Sequence, residues 1–242
     1  MPGLLVRALT LYAWPTRSGT LHLALSDAQE REPTDDRLAT LLDQGAGRLV
    51  MVDDPSLRDR LVEAGGEVRR HLHVMRHDLA AVPPTPELPG LVLRSWRDDD
   101  PERLAPAFAA AYGPGHPDEV TTDPFVNTRE LAHTADDPDN PLIEFATTVA
   151  VVDDEPIGAA LVLRSEHHPD WCGPWLMNTF RAPQPAVRGI GAAMVTHAIR
   201  ALRDAGEGYF GLAVTNANPA RRVYERLGFH YSIEGWNILM PS

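Results

Sequence analysis

The chain has 242 residues, 43% hydrophobic and 23% charged, which is material for one large domain or two modest ones with a buried core. All 22 basic residues are arginines and the formal charge is −12, so no general attraction to nucleic acid or an anionic membrane is expected, and a cationic or neutral partner is favoured. A single cysteine, Cys172, excludes an internal disulfide and fits a reducing compartment.

The first stretch, MPGLLVRALTLYAWP, has no basic residue ahead of its short apolar run and is interrupted by Arg7. It reads as neither a secretory signal nor a membrane span, and a cytoplasmic protein is expected. Then come TLHLALS as a strand, DDRLATLLDQG as a helix, RLVMVDD as a strand, DPSLRDRLVEAGG as a helix and EVRRHLHVM as a strand. In the last of these, His71, His73 and His77 share one face opposite Leu72 and Val74, as on the solvated side of a half-buried strand. The proline-rich AAVPPTPELPG, residues 80 to 90, marks a stiff connector. It suggests one module over residues 1–85 and a second over 86–242.

Behind the connector LVLRSW alternates as a strand, and a helix follows with Asp100 as cap and Pro101 in its first turn. Leu104, Phe108 and Tyr112 fall on one face of it, and Pro106 should bend it. A short helix is expected around residues 129–134. ATTVAVVDDEPIGAALVL and GPWLMNTF then read as an antiparallel meander that turns at DDEPIG. Between its last two runs, EHHPDWC gathers two histidines, an aspartate and the cysteine. Zinc takes such ligands, but structural zinc sites normally use more than one thiolate at recognisable spacings, so an exposed polar turn is the default and no metal ligands are assigned.

PQPAVRGIGAAM, residues 183–194, opens a helix running to Asp204, with Met194, Val195, Ala198, Ile199 and Leu202 as its buried stripe. A strand that enters a helix through small residues points unpaired N–H groups at one spot, at the positive end of the helix dipole, and such a spot holds anions. Gly189 and Gly191 would let a diphosphate approach the backbone, although a glycine pair before a helix also serves tight packing, and the dinucleotide-binding fingerprint is not met. YFGLAVT is then a strand, NPARRVYERLGF a helix capped by Asn218 and ended by Gly228, and FHYSIEGWNILM a closing hairpin.

The order PQPAVRGIGAAM, then AVTNANPARRVYERLGF, resembles the GNAT superfamily of N-acetyltransferases. The likeness covers the chain from about residue 90 onward and is sharpest from Trp175 to Phe229. It implies an α/β GNAT fold, a mixed central sheet flanked by helices, preceded here by a smaller α/β half-domain. It also implies acetyl-CoA as acyl-donor cosubstrate. Arg188, Gly191 and Ala193 satisfy the family's loop spacing, whereas anchoring on Pro183 and the Gly189-Ile190-Gly191 triplet puts Ala186 where the family's arginine stands. The second register is preferred because Met194 then also matches. By this resemblance the cofactor-binding residues are Phe180, Arg181, Ala186, Val187, Arg188, Gly189, Ile190, Gly191, Ala192 and Asn218. Tyr224 stands where the family places the acid that protonates the departing thiolate.

Two of these residues read otherwise on spacing alone, Asn218 as a plain helix cap and Tyr224 as a core tyrosine. The reaction implied is direct acyl transfer to a primary amine, most simply of a small molecule, with no nucleic acid or membrane partner. The strand GPWLMNTFRAP carries no carboxylate or histidine to act as base, which leaves Glu144, Glu166, His167 or a water chain. A non-catalytic acyl-CoA sensor or structural module is the alternative. DPSLRDRLVEAG and NPARRVYERLG are alike enough to suggest a degenerate internal repeat. The N-terminal counterpart of the phosphate loop, SDAQEREPTDD, is acidic and free of glycine, so that half is expected to bind no CoA and to extend the sheet or wall the acceptor cleft.

Overall fold

The computed structural model describes residues 12–15, 21–24, 34–138, 140–165, 173–183 and 188–242. They form two compact α/β units, and the division falls within strands, between His73 and Val74 and again between Ser232 and Ile233. The closing residues 233–242 therefore belong with the N-terminal unit.

The first unit contains β1 (Tyr12–Pro15), β2 (Leu21–Ala24), α1 (Thr34–Gln44), β3 (Leu49–Val52), α2 (Pro55–Glu63), the start of β4 (Glu67–His77) and most of β10 (His230–Leu239). Its strands lie in the order β1-β2-β3-β10-β4. β2 and β3 are parallel, and β3 pairs antiparallel with β10 through Val52↔Trp236 and Val50↔Ile238. Leu41, Leu57, Leu61, Val50, Trp236 and Ile238 fill the core. Asp54 caps α2, its Oδ1 accepting from Ser56 N at 2.8 Å and Leu57 N at 3.4 Å. The closing hairpin expected at FHYSIEGWNILM does not form: Gly235 to Ile238 are all buried in one continuous strand, β10. Pairing with β3 and burial outweigh the turn tendency of a lone glycine.

The second unit has the strand order β4-β9-β8-β7-β6-β5. Its remaining strands are β5 (Leu91–Arg94), β6 (Thr148–Val152), β7 (Glu155–Ser165), β8 (Gly173–Arg181) and β9 (Phe210–Thr215). Its helices are α3 (Asp100–Ala111), α4 (Pro124–Asp136), α5 (Ile190–Asp204) and α6 (Arg221–Arg226). The meander β6-β7-β8 is antiparallel as expected, turning at Asp153 and Asp154, both at positive φ. Beside α5, the core is built on the predicted stripe, Met194, Val195, Ala198, Ile199 and Leu202, with Phe210 and Phe229. On the α3 side it is built from Leu104, Phe108, Leu131, Leu161 and Phe180.

Three local expectations change. Asp100 does not cap α3. It is fully buried, accepting a bidentate pair from Arg94 at 2.6 and 2.7 Å and an N–H from Arg97 at 2.8 Å, so Asp99 takes the cap position without a side-chain bond. α4 is longer than expected, because Asp123 caps it at Phe125 N and Pro124 starts it. His77 leaves the solvated face of β4, since burial ceases to alternate at Met75. The ring is 3% exposed, lies 5.3 Å from Phe229, and accepts from Leu79 N at 2.9 Å.

Candidate active site

β8 and β9 are parallel neighbours, paired only at Trp175↔Gly211 and Leu176↔Leu212, although β8 runs on to Arg181 and β9 to Thr215. At the paired end a Cβ on residue 211 would lie 2.5 Å from the Trp175 ring, so glycine is what lets the indole lie against the strand there. Beyond Leu212 the strands part, and the edge of β8 loses its neighbour. Ala182 N donates to Ile157 O of β7 at 2.6 Å. By strand alternation, the main-chain groups of Arg181 and Thr179 therefore turn to the opposite edge, toward the gap.

A cavity of about 900 Å³ lies against this gap, lined from α3 and the loop after it, the end of β8, the start of α5, and α6 with the turn before it. α5 enters it through Gly189 at φ +96°, a left-handed conformation that favours glycine, and no side chain caps the helix. The first intrahelical bond is Ala193 N to Gly189 O at 2.8 Å, so the N–H groups of Ile190, Gly191 and Ala192 have no acceptor within the helix. A Cβ on Gly191 would meet nothing within 4 Å, so its backbone is approachable from the cavity. Arg188, Arg181 and Arg226 also line the cavity, and no carboxylate does among the described lining residues. In a chain of net charge −12 this is a local reversal of sign, with a helix N-terminus and arginines among the lining.

Most of the residues expected from the sequence meet here. Phe180, Arg181, Arg188, Gly189, Gly191, Ala192, Asn218 and Tyr224 line the one cavity. Ile190 does not: its side chain is fully buried in the core, leaving only its N–H for the site. Ala186 and Val187 lie outside the described residues. Phe180 is buried, its ring 5.0 Å from Phe108, and serves as a floor beneath the strand edge. The Arg181 guanidinium folds back to donate to Ala182 O at 2.8 Å.

Asn218 is not the helix cap expected from the sequence, because α6 begins only at Arg221 with Ala220 in the cap position. Its Oδ1 accepts from Ala220 N at 2.8 Å in a turn that precedes α6, and its Nδ2 donates to Asp118 Oδ2 at 3.0 Å. Asp118 also accepts from Thr215 Oγ1 at the end of β9, so one carboxylate ties the strand terminus to the turn that opens α6. Tyr224, on α6, is 7% exposed and packs against Phe229 at 5.8 Å. Burial raises its phenol well above the ordinary value, and Tyr112 and Asp118 add to the shift, so the group stays protonated.

Tyr112, His116, Asp118 and Arg226 were not identified from the sequence. Tyr112 Oη donates to Thr179 O at 3.0 Å, its ring edge-on to His116 at 5.1 Å. His116 Nδ1 accepts from Asp118 N at 3.0 Å. The signal for this group was slight, a Tyr-Gly-Pro-Gly-His-Pro-Asp run whose glycines and prolines make a rigid turn at a helix end. Of the base candidates, Glu144 is exposed and does not line the cavity, and Glu166 and His167 lie outside the described residues.

The sequence pattern of the acetyltransferase (GNAT) family matches residues 102–229, more than half of the chain. The chain belongs to the GNAT family. That span holds the parting strands β8 and β9, the α5 entrance and Tyr224. No curated protein matches the chain in sequence. Among solved structures, it is similar to a GCN5-related N-acetyltransferase from Sphaerobacter thermophilus, with a TM-score of 0.64 and 18% identity over 95% of this chain and 76% of that one. It is also similar to a GCN5-related N-acetyltransferase from Kribbella flavida, at 0.56 and 15% over 93% and 82%. A tandem GNAT protein from the clavulanic acid biosynthesis pathway gives 0.54 and 16% over 90% and 74%. At these identities the three establish the GNAT fold alone.

Proposed function

We propose that this GNAT protein is an acetyl-CoA-dependent N-acetyltransferase acting on a primary amine of a small molecule. The observation that carries the reading is the set of N–H groups of residues 190–192, without acceptors in the helix, at an arginine-lined cavity where β8 and β9 part. That donor set fits the diphosphate of a CoA thioester. The thioester would supply an activated acyl carbonyl.

Each residue then has one task. The main-chain groups of Arg181, turned toward the gap, hold the acyl arm along the edge of β8, beside Thr179 O, which Tyr112 Oη already engages. Asn218, fixed by Asp118, sets the far wall. Tyr224 keeps its proton because burial disfavours the phenolate, and donates it in a hydrogen bond to the sulfur as that atom takes up charge. His116 is assigned no role as base, because its Nδ1 lone pair already accepts from Asp118 N. The amine proton leaves through water instead, and aligning two substrates in one cleft supplies much of the rate.

The test is release of free thiol from acetyl-CoA by the full chain in the presence of an amine library. Turnover with one or more small amines is the expected result. Tight binding of acetyl-CoA without thiol release under any amine would replace the transferase with an acyl-CoA sensor. The N-terminal unit is proposed to bind no CoA. Its segment 26–36 is acidic in sequence; residues 25–33 lie outside the described residues, and Thr34 to Asp36 open α1.

A further inference from the structure

We propose that His71, His73 and Glu234, on the sheet of the first unit, form a zinc-binding site. His71 and His73 stand two apart on β4 and so project from the same face. Glu234 comes from β10, the neighbouring strand. One ligating atom from each of the three lies within 4.8 Å of the other two. His71 Nε2 and Glu234 Oε1 are 2.6 Å apart, and the rings of His71 and His73 are centred 5.3 Å apart.

In a tetrahedral zinc site, ligands at 2.0–2.2 Å from the ion sit about 3.4 Å from one another. The His71–Glu234 pair must open slightly and His73 must close, movements that fall to the Glu234 and His73 side chains because His71 is stacked on Trp236. The ion would take the place of the direct contact between His71 Nε2 and Glu234 Oε1. Two imidazoles and one carboxylate suit zinc among the available divalent ions, and three protein ligands leave a fourth position for water.

Two features separate this cluster from a casual surface grouping. His71 stacks on Trp236 at 5.2 Å with 14° between the rings, and the Arg58 guanidinium lies 4.6 Å from the centre of the same indole. The ligand ring is therefore held in orientation by the core rather than left to rotate, as metal sites require. The His71 and Glu234 side chains are 32% and 49% exposed, so an ion has a path in. The site lies outside the GNAT pattern at residues 102–229 and uses none of the residues assigned to the acyl-transfer cavity, so the proposal does not depend on that function.

The experiment is calorimetric titration of the full, metal-free chain with zinc chloride, paired with absorption spectroscopy after cobalt(II) substitution. One ion per chain is expected, with a Kd of about 1 μM or tighter, and cobalt should give the visible bands of a tetrahedral site without a thiolate charge-transfer band. His71→Ala, His73→Ala and Glu234→Gln should each weaken binding about tenfold or more. His133→Ala, at an exposed histidine of α4, should change nothing. Absence of saturable binding, equal binding by the three variants, or equal loss in His133→Ala would overturn the site. So would a thiolate band, which would assign the metal to Cys172. The cobalt spectrum is read on the unaltered chain, so it decides even if a variant fails to fold.

Discussion

Tyr224 illustrates how one residue can belong to the core and also line the cavity, which is what the proposed acid role needs. Its ring belongs to the hydrophobic cluster with Phe229 while its face lines the cavity, so the two sequence readings were never exclusive. Tyr224→Phe should lower kcat about 100-fold or more while leaving KM for acetyl-CoA within about twofold, since general acid–base groups contribute 10²–10⁴ and the hydroxyl is no part of the anion site. Steady-state kinetics checks this. Because burial raises the phenol, the wild-type rate should show no alkaline fall attributable to this group below about pH 10. His77 carries the opposite sign. Burial lowers its pKa from 6.5, against a smaller raising effect of Asp78. The unfolded chain takes up this proton near 6.5 and the folded chain only at lower pH, so the stability is full above 6.5 and is lost as pH falls through the folded value. In urea denaturation, His77→Gln should flatten the decline in stability below pH 6.5. The sequence placed His77 with His71 and His73 because a strict alternation was assumed. What broke it was packing against Phe229, a contact across the fold that no local pattern records.

Elements whose signals are local were legible, and elements set by distant partners were not. Asp54-Pro55 declares the start of α2 and Gly189-Ile190-Gly191 the entrance to α5, because capping and small side chains act within a few residues. The turn at His116 and Asp118 could not be joined to the site from spacing, since Asp118 meets Asn218 a hundred positions away. β10 was misread as a hairpin because its partner, β3, lies far earlier in the chain. Two predictions follow from the helix entrances. Asp54→Ala removes the acceptor of two N–H groups and should cost about 1 kcal/mol in denaturant-measured stability, with kinetics unchanged. Gly191→Glu adds a side chain into open space, so the fold should survive. The carboxylate then stands at the proposed diphosphate position, where two like charges about 4 Å apart repel by about 4 kcal/mol near a protein surface. Direct titration should show acetyl-CoA affinity reduced by about 100-fold or more. Retained affinity would remove the α5 entrance from the binding site.

At the scale of the molecule, residues 233–242 complete the core of the first unit, although the second unit intervenes in sequence. The sequence placed a module boundary in the proline-rich connector and grouped residues 1–85, a reading based on composition along the chain. The compact unit instead takes in residues 233–242, and Trp236, Ile238 and Met240 are 5%, 0% and 4% exposed in a core otherwise made of Leu38, Leu41, Val50, Val52, Leu57 and Leu61. Burying three side chains of this size contributes about 1.5–3 kcal/mol each, together comparable to the whole stability of an ordinary domain, about 5–15 kcal/mol. β3 would also lose its antiparallel partner and become an exposed edge. A fragment of residues 1–73 should therefore be unfolded or aggregated by circular dichroism. The same fragment joined to residues 233–242 through a Gly/Ser linker should show cooperative thermal unfolding. If the shorter fragment folds as well as the joined one, the last strand is an ornament of the first unit and not a part of its core.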